Sequence, residues 1–370
     1  MEVVVGLDLH LKKTQGVVME KDGTIVKQLR FATQRKELAA FLDGLPAGTQ
    51  VALESLGFCW PWIDAVEELG YKPLLANPRK VKQRAEDVKT DKVDAEVIAH
   101  LTRMGWLPTC YVPPKELRML RSFLRHRAAL RRYTTAFKNR AKSELRKRDT
   151  CIDINLSTIC GRVCAKRLDI LELQQDVEII DHLEILRKKD ERLLASSEHA
   201  KQKPVQQMLA IPGIGTITAL TVYAEVCDIR RFQNADKLAH YCGLAPKVYQ
   251  SGDKAAWTGR EATQVNKWLK HVLIEASWSH IRCCPNGRLA HIYKIAFHRK
   301  KSKTKAIKIV ARRLVNIIWS MWMNGTEFHA EGIGQGAKLK PLTVHAASDR
   351  FSETEAHTSF ALKSQSHGAA

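Results

Sequence analysis

Negative charge is scarce in this chain. Thirty-nine Asp plus Glu stand against 60 Lys plus Arg over 370 residues, a formal net charge of +21 with a pI near 9.7. That imbalance disfavours a cationic partner and points to a polyanion, nucleic acid first. A basic surface with no specific ligand is the plain alternative. Ordered cysteines are lacking too. The nine present, at 59, 110, 151, 160, 164, 227, 242, 283 and 284, include no CxxC pair and no Cys–His spacing that would build a zinc site. Their odd number and scatter suit reduced thiols. No apolar run reaches the roughly 20 residues of a membrane span, and the first residues lack the basic, apolar and small-residue order of a signal peptide. A cytoplasmic protein is expected.

What is present divides the chain by pattern. A length of 370 residues allows two or three domains. Residues 1–112 alternate short apolar runs with helical stretches: VVVGLDL, then GVVMEK and TIVKQLRF as a hairpin, then VALES and YKPLLAN separated by helical patterns. Three hairpin-connected strands followed by alternating helices and strands predict an α/β domain with a ribonuclease-H-like sheet. From 113 to 204 the pattern is helical. Leu117, Leu120, Leu124, Phe137, Ala141 and Leu145 fall near helical spacing, and thirteen Lys or Arg with only two acids lie between Lys115 and Arg148. Arg127, Arg131 and Lys138 are candidate phosphate contacts on this stretch. A second helical run, LDILELQQDVEIIDHLEILRKKDERLLA, predicts a partner helix in a coiled-coil arm. The polar SSEHAKQKP, 196–204, is the linker candidate. A mainly helical second unit covers 205–325, and the unpatterned 326–370 reads as a disordered tail.

Asp8 ends an apolar strand, where a carboxylate is costly unless something compensates it. Glu54 ends VALES, and Asp91 and Asp94 stand three apart on one face of a predicted helix. Converging carboxylates call for a cation, and hard oxygen ligands suit Mg²⁺ or Mn²⁺. Taken singly, each acid also fits a turn or helix cap or a solvated face. Asp87 shares the face of Asp91 and Asp94, with Glu86 and Glu96 close by, so spacing leaves the choice open.

GLDLHLKKTQGVVMEKDG, VALES, LLANPRKVKQ and KTDKVDA, in this order, resemble the N-terminal domain of the DEDD-type insertion-sequence transposases, the family that includes the Piv-like DNA invertases. The resemblance implies a RuvC-like domain with Asp8, Glu54, Asp91 and Asp94 as its metal-binding tetrad.

Further on, MLAIPGIGTITALTVYAEV places Gly213 and Gly215 between helical patterns, as in a helix-hairpin-helix whose backbone N–H groups grip phosphate. An ordinary tight turn is the alternative. GLAPKVYQSG resembles the same family's C-terminal transposase motif. The resemblance makes Ser251 the nucleophile, beside Lys247, Lys254 and Arg260 as phosphate contacts; alone, the segment is a common polar turn. Where relatives carry Lys-x-Gly-Asn, this chain has Thr263-Gln264-Val265-Asn266. The resemblance further implies donor and target DNA, a structured guide RNA from the element, and a dimer or tetramer that brings the tetrad and the serine together. Ile307, Val310, Leu314, Ile317 and Met321 make a buried stripe on the last helix, and Arg299 to Arg313 holds eight Lys or Arg and no acid, a candidate phosphate track. Trp257, Trp268, Trp278, Trp319 and Trp322 could stack on bases, although at helical positions tryptophan is more often core. Two rival readings remain: a metal-dependent junction-resolving nuclease with no covalent intermediate, and a non-catalytic nucleic-acid-binding protein.

Overall fold

The strand Val3–Leu9 (β1) is buried on both faces, and the rest of the first domain is arranged around it. The computed structural model describes residues 2–82, 91–148, 154–249, 257–261 and 264–328, with the backbone alone at 91–92, 246–249 and 257–261. β1 pairs antiparallel with Lys13–Glu20 (β2), which pairs antiparallel with Ile25–Ala32 (β3). Arg35–Leu42 (α1) leads to Gln50–Glu54 (β4), parallel to β1, and Trp60–Glu68 (α2) leads to Lys72–Ala76 (β5), parallel to β4. Pro78–Lys82 (α3), Asp91–Arg103 (α4) and the two-residue Thr109–Cys110 (β6) complete the unit. The strands form one mixed sheet in the order β3-β2-β1-β4-β5-β6. The hairpin-then-crossover order expected from the sequence is present. β6 is too short for alternation to announce it.

Strand alternation sorts the two faces. Val3, Val5, Leu7, Leu9, Val51 and Leu53 point to one side, where Leu38, Phe41 and Leu42 of α1 and Ile63 and Val66 of α2 close a core. Val17 and Met19 of β2 meet Ala95 and Ala99 of α4 on the other side, with Val4 packed against them. Gly6 lies on this second face, and a Cβ there would sit 2.3 Å from the Ala95 carbonyl oxygen. Glycine at 6 and alanine at 95 and 99 therefore let the backbones of β1 and α4 approach closely.

Lys115–Lys147 (α5) is a helix of 33 residues, about 50 Å long at 1.5 Å per residue. It packs along Leu171–Ala195 (α7), with Ile159–Lys166 (α6) between them in sequence. Partners run in opposite directions: Arg127 with Glu191, Lys138 with Glu184, Arg140 with Asp176 and Arg148 with Glu172, so the pair is antiparallel. At its far end Ala141 and Leu145 bury against Leu156, Ala165, Leu173 and Val177. At its near end Leu117, Leu120 and Leu124 join the core of the C-terminal unit.

That unit comprises Lys203–Leu209 (α8), Thr216–Val226 (α9), Ala235–Tyr241 (α10), the antiparallel strands Pro246–Tyr249 (β7) and Trp257–Glu261 (β8), Lys267–Cys283 (α11), Arg288–Lys300 (α12) and Lys303–Asn324 (α13). The polar 196–204 segment is no open tether. Glu198–Lys201 forms a 3₁₀ turn, and Ala200 is buried in this same core. The α13 stripe is buried at Ile307, Val310, Leu314 and Met321, with Ile318 taking the fully buried place expected of Ile317. Among the described residues no helix is long and apolar enough to cross a membrane. The tail expected from 326 lies, beyond Phe328, outside the described residues.

Candidate active site

Three of the four expected acids meet at the carboxyl ends of the central parallel strands. Asp8 shares the α4-facing side of β1 with Gly6 by alternation. β1 and β4 pair in parallel through Gly6 with Ala52 and Leu7 with Leu53, which brings Glu54 beside Asp8 one step further on. Because α4 sits directly on Gly6 through Ala95, Asp94 is delivered to the same rim. Asp8 is 4% exposed, Glu54 half-buried and Asp94 exposed. Asp91 stands on the helix backbone four residues before Ala95; its side chain lies outside the described residues.

Electrostatics tie the group together. Burial pushes the Glu54 carboxyl above its ordinary value, the negative charge of Asp8 pushes it the same way, Lys82 opposes, and Asp94 adds to the rise. His10 Nε2 donates to Asp8 Oδ2 at 3.0 Å. Sequence reasoning missed His10; its place two residues after Asp8, on the same side of an extended strand, was the available signal. Among the acids left open by spacing, Glu96 accepts from Gln28 of β3 at 2.8 Å and is thereby drawn toward the edge strand, while Glu86 and Asp87 lie outside the described residues. Among the described residues no three of these side chains close to metal-ligand spacing as they stand. Their chemistry, carboxylates in mutual reach with one imidazole and one ammonium for relief, nevertheless suits a hard divalent cation.

The arm candidates are placed by heptad arithmetic. Continuing the 3, 4 rhythm from Leu117, Leu120 and Leu124 lands on Arg127, Arg131, Thr134, Lys138, Ala141 and Leu145. Arg127 and Lys138 are therefore seam positions facing α7, whereas Arg131, over half exposed, turns toward α11. Arg127 pairs with Glu191, Lys138 with Glu184 at 3.3 Å and Arg131 with Glu275 of α11 at 3.4 Å. With Thr134, Thr135 and Arg187 they line a polar cavity of about 310 Å³ in the arm. Phe137, expected in the stripe, is only half-buried and lies under the Arg140 guanidinium; Leu130 and Thr134 are the buried residues of that stretch.

In the C-terminal unit the glycine hairpin joins α8 to α9. Gly213 has φ +89°, and a Cβ on it would lie 2.4 Å from the His280 backbone nitrogen. The seat of α11 therefore explains this glycine. His280 closes the same contact, its Nδ1 2.7 Å from the Pro212 carbonyl oxygen. Gly215 is exposed at the N-cap of α9 with nothing within 4 Å of its Cβ position, so of the two glycines it is the one left sterically open. Ser251 and Lys254 lie outside the described residues. Lys247 and Arg260 are placed as backbone positions on β7 and β8.

At the departure from the relatives' pattern, Asn266 still serves as a cap. Its Oδ1 accepts from the N–H groups of Trp268 and Leu269 at 3.0 and 3.1 Å and starts α11. The described tryptophans of this unit are partly buried, each packed against other side chains of the protein. Arg125 and Arg132 lie over Trp268, Trp278 meets Tyr293, Trp319 donates to the Phe232 carbonyl and Trp322 stacks on Tyr223. The side chain of Trp257 lies outside the described residues. Exposed positive charge gathers at the α12–α13 turn, where Arg299, Lys300, Lys301, Lys303 and Lys305 are all exposed.

Comparison with known proteins finds two family models on this chain. The DEDD-type IS110 transposase family matches residues 5–147, the sheet domain and α5. The transposase family of the IS116/IS110/IS902 group matches residues 205–293. The chain is 26% identical over 334 residues to a probable family 20 transposase of Pseudomonas aeruginosa, covering 86% of this chain and 96% of the relative. It is 24% identical over 343 residues to the transposase for insertion sequence element IS1328 of Yersinia enterocolitica, covering 88% and 98%. To the transposase for IS1111A of Coxiella burnetii it is 22% identical over 330 residues, covering 86% and 89%. A DEDD domain implies divalent-metal use. With both of the family's domains matched in order on one chain, this protein belongs to the IS110/IS116 family of DEDD insertion-sequence transposases.

Proposed function

We propose that this transposase cuts and rejoins DNA at the ends of its element through two groups acting on one scissile phosphate, the acidic rim of a RuvC-like, ribonuclease-H-type sheet and the hydroxyl of Ser251. The observation that carries the first half is the convergence of Asp8, Glu54 and Asp94, with Glu54 held above its ordinary value by burial and by Asp8. Asp8, Glu54, Asp91 and Asp94 would hold Mg²⁺ or Mn²⁺. A divalent cation bound there supplies Lewis-acid stabilisation of charge on the phosphate oxygens. The buried Asp8 and the half-buried Glu54 present oxygen ligands from adjacent strands, and Gly6 with Ala95 keeps Asp94 beside them.

In the second half, the Ser251 oxygen attacks phosphorus, the bond to the 3′ oxygen breaks, and the hydroxyl proton passes to that leaving oxygen through solvent. The products are a phosphoserine linkage and a free 3′-hydroxyl. Attack by the 3′-hydroxyl of a new partner strand reverses the step and frees the serine. Lys247, Lys254 and Arg260 neighbour Ser251 in sequence and would bind the phosphate. Gly215 and the exposed α12–α13 turn offer backbone and side-chain contacts to flanking DNA, and a structured RNA transcribed from the element would guide the choice of site. Arg127 and Lys138 would reach a nucleic acid only by exchanging their carboxylate partners for phosphate, whereas the exposed Arg131 would reach it directly.

The rim alone also suits a metal-dependent nuclease that forms no adduct, and Ser251→Ala decides between the readings. It is expected to abolish covalent protein–DNA adducts and rejoining, detected by denaturing gel on labelled element ends. Cleavage that persists without adduct would establish the nuclease reading. Assembly of the two halves from different protomers is tested by mixing Asp8→Asn with Ser251→Ala. Recovered rejoining in the mixture, absent from either variant alone, is expected of a dimer or tetramer that shares its sites.

A further inference from the structure

We propose that Glu225 is a positioning residue for the C-terminal site, tying the root of the β7–β8 hairpin to the arm; this rests on the reading that Ser251, which lies between β7 and β8 in sequence, is the nucleophile. Glu225 lies near the end of α9, whose sequence TITALTVYAEV is otherwise free of charge, and it is only 2% exposed. A carboxylate so placed is costly unless both oxygens are satisfied. Both are, and by different parts of the molecule. Oε1 accepts from Arg125 Nε at 3.0 Å and its terminal nitrogen at 2.7 Å. Oε2 accepts from Asn266 Nδ2 at 2.8 Å, with Arg121 Nε 3.6 Å away.

Asn266 cannot turn round. Its Oδ1 is committed to the N–H groups that open α11, so its amide nitrogen must find an acceptor, and the Glu225 carboxylate is that acceptor. The Asn266 N–H donates to the Tyr241 carbonyl at 2.9 Å, and its Nδ2 also reaches the Tyr241 hydroxyl at 3.2 Å. Residue 266 follows β8 by five residues. On the entry side of the hairpin, Leu244 N–H bonds to the Ala239 carbonyl, and Val265 packs onto Gly243. Both ends of the hairpin are thus fastened to one unit, and Glu225 joins that unit to α5.

The other side of the tie reaches the acidic domain. Seven residues before Arg125, Arg118 pairs with Asp64 of α2 at 2.5 Å and lies over the Trp60 ring. A continuous run of contacts therefore connects α2, α5, Glu225, Asn266 and Tyr241, the last two flanking the hairpin in sequence. Its consequence is that the placement of the hairpin is set against the arm and not only within its own unit.

The test uses a reversal of hydrogen-bond polarity in the full-length protein. Asn266→Asp keeps an oxygen for the α11 cap but faces Glu225 with a second carboxylate. Glu225→Gln keeps an acceptor for Arg125 but faces Asn266 with a second donor. In the double variant the new glutamine donates to the new aspartate, and the tie is restored. Each single variant is expected to slow adduct formation at saturating DNA by roughly tenfold to a hundredfold, as a small misplacement of a reacting group does, with DNA affinity little changed. The double variant is expected to recover most of that rate. Single variants as fast as the parent, or a double variant no faster than the slower single, would overturn the proposal. Amide exchange of residues 257–261 is the second readout. Protection should fall in each single variant and return in the double, and unchanged protection in the singles also overturns it. Because exchange needs no chemistry at residue 251, it separates failure of this proposal from failure of the nucleophile reading, which Ser251→Ala reports.

Discussion

The sheet rim and the arm both gather acids, and they treat them in opposite ways. On the rim, burial and Asp8 push the Glu54 carboxyl up, with Lys82 and His10 as partial relief. In the arm, burial would raise Asp181, Glu184 and Glu191 as well, but hydrogen bonds outweigh it: Lys166 and Arg162 pull Asp181 down, Arg187 and Lys138 pull Glu184 down, and Arg127 and Arg187 pull Glu191 down. The arm's acids are spent on holding two helices in register. On the rim the balance at Glu54 runs the other way, toward a raised carboxyl, as at an ion-binding site before its ion arrives. Charge compensation, more than charge, separates structural from functional carboxylates here.

The largest effect expected on this contrast comes from the backbone that builds the rim. Gly6→Val would place a Cβ 2.3 Å from the Ala95 carbonyl oxygen, with the Ala99 nitrogen 2.7 Å away, so α4 must move off β1. A loss of about 3 kcal/mol or more follows for overpacking against rigid backbone, measured by urea denaturation. A Gly6→Val protein with unchanged stability would show that Asp94 is not held where β1 and α4 place it. In the arm the corresponding change is Arg127→Leu. It strips Glu191 of one of its two guanidinium partners and leaves Arg187. Because the pair is not fully buried, about 1–2 kcal/mol is expected, below the penalty for breaking a wholly buried ion pair. If DNA binding rather than stability suffers, the seam arginines serve nucleic acid first.

Much of this contrast was legible in the sequence, and the remainder was hidden for physical reasons. A lone acid at the end of an apolar strand singled out Asp8, and strand alternation with parallel pairing then placed Glu54. The same signal, one acid in an apolar helix, is present at Glu225, where only the fold supplies its partners on α5 and at Asn266. The basic run from Lys115 to Arg148 hid its own heptad: counting charge marks Arg127, Arg131 and Lys138 alike as phosphate contacts, whereas counting threes and fours puts Arg127 and Lys138 against α7 and leaves only Arg131 exposed. β6 has two residues, and a pattern of period two needs more. Gly213 was legible as a turn, but that α11 would pack onto it depended on a helix 67 residues further on.

Acidity separates the two regions by sign. The arm carboxylates have folded values below their ordinary 3.8 for Asp and 4.5 for Glu, so their stabilisation is full above those values and is lost as pH falls through the depressed ones. Glu54 lies above its ordinary 4.5, so its contribution is most favourable below that pH and is lost as pH rises through the higher folded value. Acidifying the metal-free protein below about pH 4 is therefore expected to loosen α7 before β4. Amide protection factors, which correct for intrinsic exchange, should fall at 176–191 while holding at 50–54. Simultaneous loss at both would mean that the rim depends on ionised Glu54 as the arm does on its acids.

Glu54→Gln is the smallest change and the most pointed. Without divalent ions it removes one negative charge from beside Asp8 and Asp94, so at neutral pH it should stabilise the protein, by about 1 kcal/mol or less for like charges a few ångströms apart in a partly solvated site. That is a rise of only about 2–4 °C in unfolding midpoint for a domain of moderate size. With Mg²⁺ or Mn²⁺ the sign should turn. The unaltered protein gains stability in proportion to ion occupancy, and Glu54→Gln, having lost a ligand, gains less. A calorimetric midpoint that rises in EDTA and fails to follow added ion identifies Glu54 as a ligand held ready. A midpoint that drops in EDTA makes it instead a carboxylate the fold needs, of the kind the arm already contains.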